Sequence, residues 1–195
     1  MNLELSENEQ LFVAGSFDPG AFFGRRAPVE VEIGSGKARF LIEAARARPE
    51  HDFLGLERSL AYYRICRDRV ERSALRNARV LRADARLFTQ ALRPASVRAF
   101  HVYFPDPWPK KKQKKRRLLN GVMLELLASR LEPGGLLRIR TDHPDYGSAL
   151  SPLLETVSTL ERLDWDACPA PPSTHYEIKY RAEARAIWRY LLRRR

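Results

Sequence analysis

Five carboxylates, Glu32, Glu57, Asp84, Asp106 and Asp142, each stand where an apolar, extended run of the chain gives way to a turn or a helix. One acid in such a place is most often a solvated surface group. Five of them would ring a single crevice, because open parallel sheets bind ligands beyond the carboxyl ends of their strands. Glu32 precedes Gly34-Ser35-Gly36 by two positions, and Glu57 follows Gly36 by 21. The glycine turn is not the dinucleotide fingerprint, since the third glycine of G-x-G-x-x-G would fall on Arg39. An acid beside the turn repels phosphate and suits a cation. S-adenosylmethionine, with its sulfonium and amino groups, is such a cation. Glu57 lies at the spacing at which an acid ending the second strand accepts from ribose hydroxyls. Asp84 is placed to take the adenine amine, with Ala83 and Ala85 leaving room for the flat ring, although the same residue reads equally well as a helix N-cap.

The segment Tyr103 to Arg117, YFPDPWPKKKQKKRR, is the most distinctive of the chain. Prolines at 105, 107 and 109 fix φ and remove donors, so the reading is a stiff extended loop, neither helix nor ladder, that presents Asp106 and Trp108. Trp108 serves either as a packing anchor or as a base-stacking platform. Lys110 to Arg117 carries seven positive charges in eight residues; removed from the formal net charge of +11, they leave +4. Like charges at that density repel unless a polyanion screens them, which points to a nucleic acid.

The elements that must position these groups follow from hydrophobic pattern. Strands are expected at 29–33, 52–57, 78–83, 97–104 and 135–141, alternating with helices near 37–48, 59–73 (Ser59 as cap), after Asp84, 118–131 and 144–160. That alternation implies an α/β, doubly wound, mostly parallel sheet covered on both faces. Two last strands, 164–168 and 184–192, separated by a polar loop without a helix, would finish one edge as an antiparallel pair. Arg193 to Arg195 are expected to fray. The 195 residues suffice for one core, so the division expected is an N-terminal arm over 1–28 and a single domain over 29–195. Cys66 and Cys168 stand apart, and His51, His101, His143 and His175 show no chelating spacing, so no metal is expected. The lack of a leader-like N-terminus or a long apolar run suggests a cytoplasmic protein. No obligate protein partner is implied, and the choice between monomer and homodimer stays open.

These motifs carry a resemblance. From about Phe22 to Tyr190 the chain resembles the bacterial tRNA (guanine-N7-)-methyltransferases, on Pro-Asp-Pro-Trp-Pro-Lys at 105–110 with its basic continuation, Glu-Ile-Gly-x-Gly at 32–36, Thr141-Asp142 and Thr174-x-Tyr176-Glu177. The resemblance implies a seven-stranded Rossmann-like methyltransferase fold. It further implies that Glu32, Gly34, Gly36, Glu57, Asp84, Ala85 and Asp106 hold S-adenosylmethionine, left as S-adenosylhomocysteine, with Asp106 also catalytic. Lys110, Asp142, Thr174, His175, Tyr176 and Glu177 would contact the substrate, and Lys112, Gln113, Lys114, Lys115, Arg116 and Arg117 the RNA. Two departures stand out: Ala38 replaces a glycine, and Ala184 and Ala186 replace a glycine and a proline. A slightly altered helix start is expected, not a lost site. The expected reaction is direct displacement onto guanine N7, whose lone pair carries no proton and needs no general base, with Asp142 or Glu177 accepting from the base's N1 and N2 hydrogens. Rival readings are a methyltransferase of another RNA, a small molecule or a protein, a nicotinamide oxidoreductase, which Glu32 and Arg39 oppose, and a non-enzymatic RNA-binding protein with a vestigial pocket.

Overall fold

In the computed structural model, residues 15–195 are described. β1 (Val29–Ile33) is buried along its whole length, so its sequence VEVEI takes two glutamates into the interior. They meet opposite fates. Glu30 is held by Arg48, by His51 Nδ1 at 2.7 Å and by His101 Nε2 at 2.7 Å, and His101 Nδ1 lies 2.8 Å from the Tyr103 hydroxyl. Against the cost of burial, these histidines and Arg48 hold the Glu30 carboxyl far below the usual range. Glu32, nearer the end of the strand, has no such company.

The remaining elements follow in the expected alternation: α2 (Arg39–Ala47), β2 (Asp52–Glu57), α3 (Leu60–Arg72), β3 (Ala78–Arg82), α4 (Ala85–Ala91), β4 (Val97–Tyr103), α5 (Gly121–Arg130), β5 (Leu131–Thr141), α6 (Pro144–Glu155), β6 (Leu160–Leu163), α7 (His175–Ala182) and β7 (Trp188–Arg194). A short α1 (Pro19–Phe23) precedes β1. Of the expected N-terminal arm, residues 1–14 lie outside the described residues. Phe17 bridges Leu92 and packs edge-on against Phe88, 5.0 Å between ring centres.

The sheet runs β3-β2-β1-β4-β5-β7-β6. β1 to β5 are parallel, and β7 is antiparallel to both β5 and β6. The chain steps outward from β1 to β3 and then returns to lay β4 on the other side of β1. The loops after β1 and β4 therefore flank the point where the winding reverses, which is where a crevice opens. Gly55 of β2, paired with Glu32, leaves space under the first loop: a Cβ there would lie 2.5 Å from Ser35 Oγ and 2.8 Å from Leu41 Cδ2. One face of the sheet packs on α2 and α3 through Phe40, Leu41, Tyr63, Cys66 and Val70. The other packs on α4, α5 and α6 through Phe88, Met123, Leu127, Tyr146 and Leu150.

Several expected boundaries need correction. The loop expected to be extended throughout from 103 to 117 contains a 3-10 turn over Lys111–Arg116. The prolines end at 109, so donors return: Gln113 N–H donates to Lys110 O at 2.8 Å and Arg117 N–H to Lys114 O at 3.0 Å. The polar loop expected before the last strand holds α7, whose N-cap Thr174 accepts from Glu177 N–H at 3.0 Å. Thr174-His175-Tyr176-Glu177 is the S/T-x-x-E pattern of a helix start, masked by the prolines before it. α6 ends at Glu155, five residues early, and the following strand is Leu160–Leu163, not 164–168. β7 spans 188–194 instead of 184–192, and Arg193 to Arg195 do not fray. β7 is flanked on both sides, pairing Arg193 with Leu136 and Arg194 with Leu160, and Arg195 N–H donates to Thr159 O at 3.0 Å. Ser59 occupies the α3 N-cap, but its side chain does not cap.

Candidate active site

The carboxyl ends of β1, β2, β3 and β4 bring the glycine turn and four of the expected acids to one edge of the sheet. Gly34 and Gly36 have φ of +83° and +53°, which lets the chain turn sharply off β1. Glu57 ties this turn to the next helix: Oε2 accepts from Gly36 N–H at 3.0 Å and Oε1 from Ser59 N–H at 2.9 Å. Glu32 is 4% exposed, and its Oε2 has no hydrogen-bond partner among the described residues. Burial pushes its carboxyl up to about 8; Ser35 opposes the shift and the neighbouring Glu57 charge adds to it. A buried carboxylate oxygen without a donor, beside a glycine turn, fits a ligand that brings positive charge or N–H groups.

Asp84 caps α4, accepting from Arg86 N–H at 2.9 Å, with Arg58 at 3.9 Å from its other oxygen. The capping reading is thus realised, and among the described residues the second oxygen faces only a long, exposed contact. Asp106 is exposed and has no hydrogen bond or ion pair among the described residues. It is bracketed by strain, because Phe104 (φ +52°) and Trp108 (φ +43°) both hold left-handed backbone without being glycine. Burial first, then Tyr62, Asp106 and Glu57 push the Tyr176 phenol upward, so α7 reaches the same cleft.

The basic loop is fastened down on one side. Arg117 is 7% exposed, donates from Nε to Pro107 O at 2.9 Å, lies 4.5 Å over the Tyr146 ring and pairs with Asp145. Lys114 also binds Asp145, at 2.6 Å. Lys114 and Arg117 hold the Asp145 carboxyl down to about 2. Arg117, expected to contact RNA, is instead the anchor that shapes the loop; Lys110, Lys111, Lys112, Lys115 and Arg116 stay exposed, and Gln113 is half-buried. Arg116 lies 5.1 Å over Trp108, which favours the packing-anchor reading of that ring.

The α7 stretch also divides. Glu177 is fully buried, with one oxygen on Arg140 and the other on Arg181 at 2.7 Å. Fully buried and ion-paired through both oxygens, Glu177 stands as an anchor of α7, where it was expected to accept from a base. Thr174 is buried as a cap. His175 Nε2 sits 3.0 Å from Arg69 Nη1, and Tyr176 is exposed, 6.3 Å from Phe104 and 5.7 Å from Tyr180 between ring centres. Asp142 accepts from Arg185 at 2.9 Å and, after burial, is the charge that most raises the nearby Tyr180 phenol. Sequence reasoning passed over Tyr62, Phe104 and Arg140. Arg140 had a signal, a charge within the apolar run Leu136 to Thr141.

Residues 26–190 match a family model described as "Putative methyltransferase". The chain is 37% identical over 182 residues to the tRNA (guanine-N(7)-)-methyltransferase of Thiobacillus denitrificans, covering 91% of this chain and 80% of that protein. It is 38% identical over 181 residues to the enzyme of the same name from Bordetella pertussis, covering 91% and 71%. Among solved structures it is similar to the aminoglycoside resistance methyltransferase NpmB1, with TM-score 0.62 and 14% identity over 89% of this chain and 90% of that one. The 16S rRNA methyltransferase KamB gives TM-score 0.62 and 16% identity over 93% and 97%. At such identities these structures speak for the Rossmann-like methyltransferase fold alone. With family model, relatives and fold in agreement, the chain belongs to the tRNA (guanine-N(7)-)-methyltransferase family.

Proposed function

We propose that this chain transfers a methyl group from S-adenosylmethionine to N7 of a guanine in the variable loop of tRNA, in the cytoplasm. The observation that carries the reading is the orphaned, buried Glu32 oxygen beside the glycine turn, with Glu57 bound to that turn and Asp106 free above it. S-adenosylmethionine supplies, when bound, a methyl group on a positively charged sulfur that an in-line nucleophile can take. Glu32 and Glu57 hold the donor's polar groups, with Asp84 and Ala85 at the mouth of the third strand. Asp106, on its strained proline loop, aligns donor and guanine and favours the positive charge that develops on the purine. Tyr176 offers an aromatic face on the same cleft, Asp142 an acceptor behind it, and Lys110 and His175 charge and polarity at its rim. N7 carries no proton, so the residues need only align and stabilise.

The test is incubation of the chain with labelled S-adenosylmethionine and unmodified tRNA, followed by identification of the product base. Label on guanine N7 in the variable loop supports the proposal. Label on another base or only on a small molecule refutes it.

A further inference from the structure

A second basic surface lies on the side of the sheet away from the lysine loop. A groove of about 540 Å³ between α2, α3 and the start of α7 is lined by Lys37, Arg39, Arg46, Arg69, Arg72 and a single acid, Glu43. Among the described residues, five cations against one carboxylate leave +4 in this groove. Glu43 is taken by Arg39 at 2.8 Å, yet Arg39 Nε is buried with no acceptor among the described residues. Among the described residues, Arg69 binds only uncharged atoms, donating to Lys37 O at 2.9 Å and lying 3.0 Å from His175 Nε2, and Arg72 donates from Nε to Asp68 O at 3.1 Å. Burial first, then Arg69, Arg39 and Lys37, lower the His175 imidazole below its ordinary value, against an opposing effect of Glu43. Among the described residues, Lys37 and Arg46 have no side-chain partner at all.

Position gives this charge its meaning. Lys37 directly follows the glycine turn, and His175 adjoins Tyr176, so the groove opens at the rim of the cleft. The lysine loop is tied to the opposite face through Asp145 of α6 and through Arg86 of α4, whose Nη2 donates to Arg116 O at 3.2 Å. Two cationic surfaces thus flank the acid-lined cleft from the two faces of the sheet. We infer that the RNA interface is bipartite: the backbone on one side of the target guanine lies on the lysine loop, and phosphates on the other side lie in the α2–α3 groove. This rests on the reading that the chain acts on tRNA. Gripping the strand on both sides of one nucleotide holds that base over the donor, which a one-sided grip leaves free to swing.

The experiment compares the wild type, Arg46→Gln/Arg72→Gln on the groove and Lys111→Gln/Lys112→Gln on the loop. All four residues are exposed, so the fold is retained. Affinity for unmodified tRNA is measured across a salt series, with binding of S-adenosylmethionine and methyl transfer measured beside it. The groove variant is expected to lose on the order of tenfold in tRNA affinity and to flatten the slope of log affinity against log salt by about 1.4 to 1.8, for two phosphates. Donor binding stays unchanged, and the loop variant shows a separate, additive loss. If the groove variant keeps the wild-type slope and affinity while the wild type methylates tRNA, the bipartite interface is overturned and the proposed reaction stands. A wild type that neither binds nor methylates tRNA overturns both.

Discussion

Glu32 and Glu30 sit two positions apart on one strand, and their different neighbours set their chemistry. Glu30 is saturated by Arg48 and two histidines, whereas Glu32 keeps an empty oxygen and a carboxyl raised by burial to about 8. The folded chain therefore binds the Glu32 proton more tightly than the unfolded chain, whose carboxyl sits near 4.5. That stability is full below the unfolded value and falls as pH rises toward about 8, on the order of 1 kcal/mol per pH unit. Thermal melting without donor should decline over that window, and Glu32→Gln should remove most of the decline. The same variant should weaken donor binding at least about tenfold, since the amide offers no charge. Calorimetry in buffers of different ionisation enthalpy should show the wild type releasing up to about one proton per donor bound at pH ~7. Asp106 sits at the other extreme, exposed and unpaired. Asp106→Ala should cut turnover about a hundredfold or more while tRNA affinity changes only a few-fold. Equal loss of both would remove Asp106 from the chemistry.

At the scale of elements, α7 is held by charge more than by apolar contact, since Glu177 is its one buried residue. Arg140, 4.6 Å over the Tyr103 ring, reaches up from β5 to bind it. Glu177→Ala leaves Arg140 buried without its partner, a loss of about 3 to 5 kcal/mol. Chemical denaturation should report that loss. A residue that only reads a base would leave stability unchanged. Two alanines with left-handed backbone, Ala184 and Ala38, behave differently from each other. Ala184 (φ +52°) is exposed, so Ala184→Gly should stabilise the chain by about 0.5 to 1 kcal/mol. Ala38 (φ +59°) starts α2 with its methyl fully buried, so the gain in backbone freedom from Ala38→Gly is offset by lost packing. The same denaturation series checks both.

For the molecule as a whole, the charge is more evenly spread than the sequence count implies. The run from Lys110 to Arg117 holds seven of the positive charges, yet Lys114 and Arg117 are spent on Asp145, and the α2–α3 groove restores four elsewhere. If about five phosphates are engaged in all, log affinity for tRNA should fall with log salt at a slope of roughly −3 to −5. A slope near zero in filter binding or fluorescence titration would mean that both surfaces serve only solubility.

The sequence by itself determined the alternation of strands and helices, the antiparallel finish of the sheet and the strand-end acids, because side-chain periodicity and turn chemistry are local. Glu32, Glu57 and Asp106 were legible for the same reason: each is marked by its place next to a turn. Tertiary structure alone decided which charges are free. Arg117 and Glu177 look like surface contacts in the chain, and become buried anchors only when α6 and β5 bring Asp145 and Arg140 against them. The α2–α3 groove was invisible for a related reason. Its cations are scattered from Lys37 to Arg72 at ordinary density, and only helix packing gathers them into one groove.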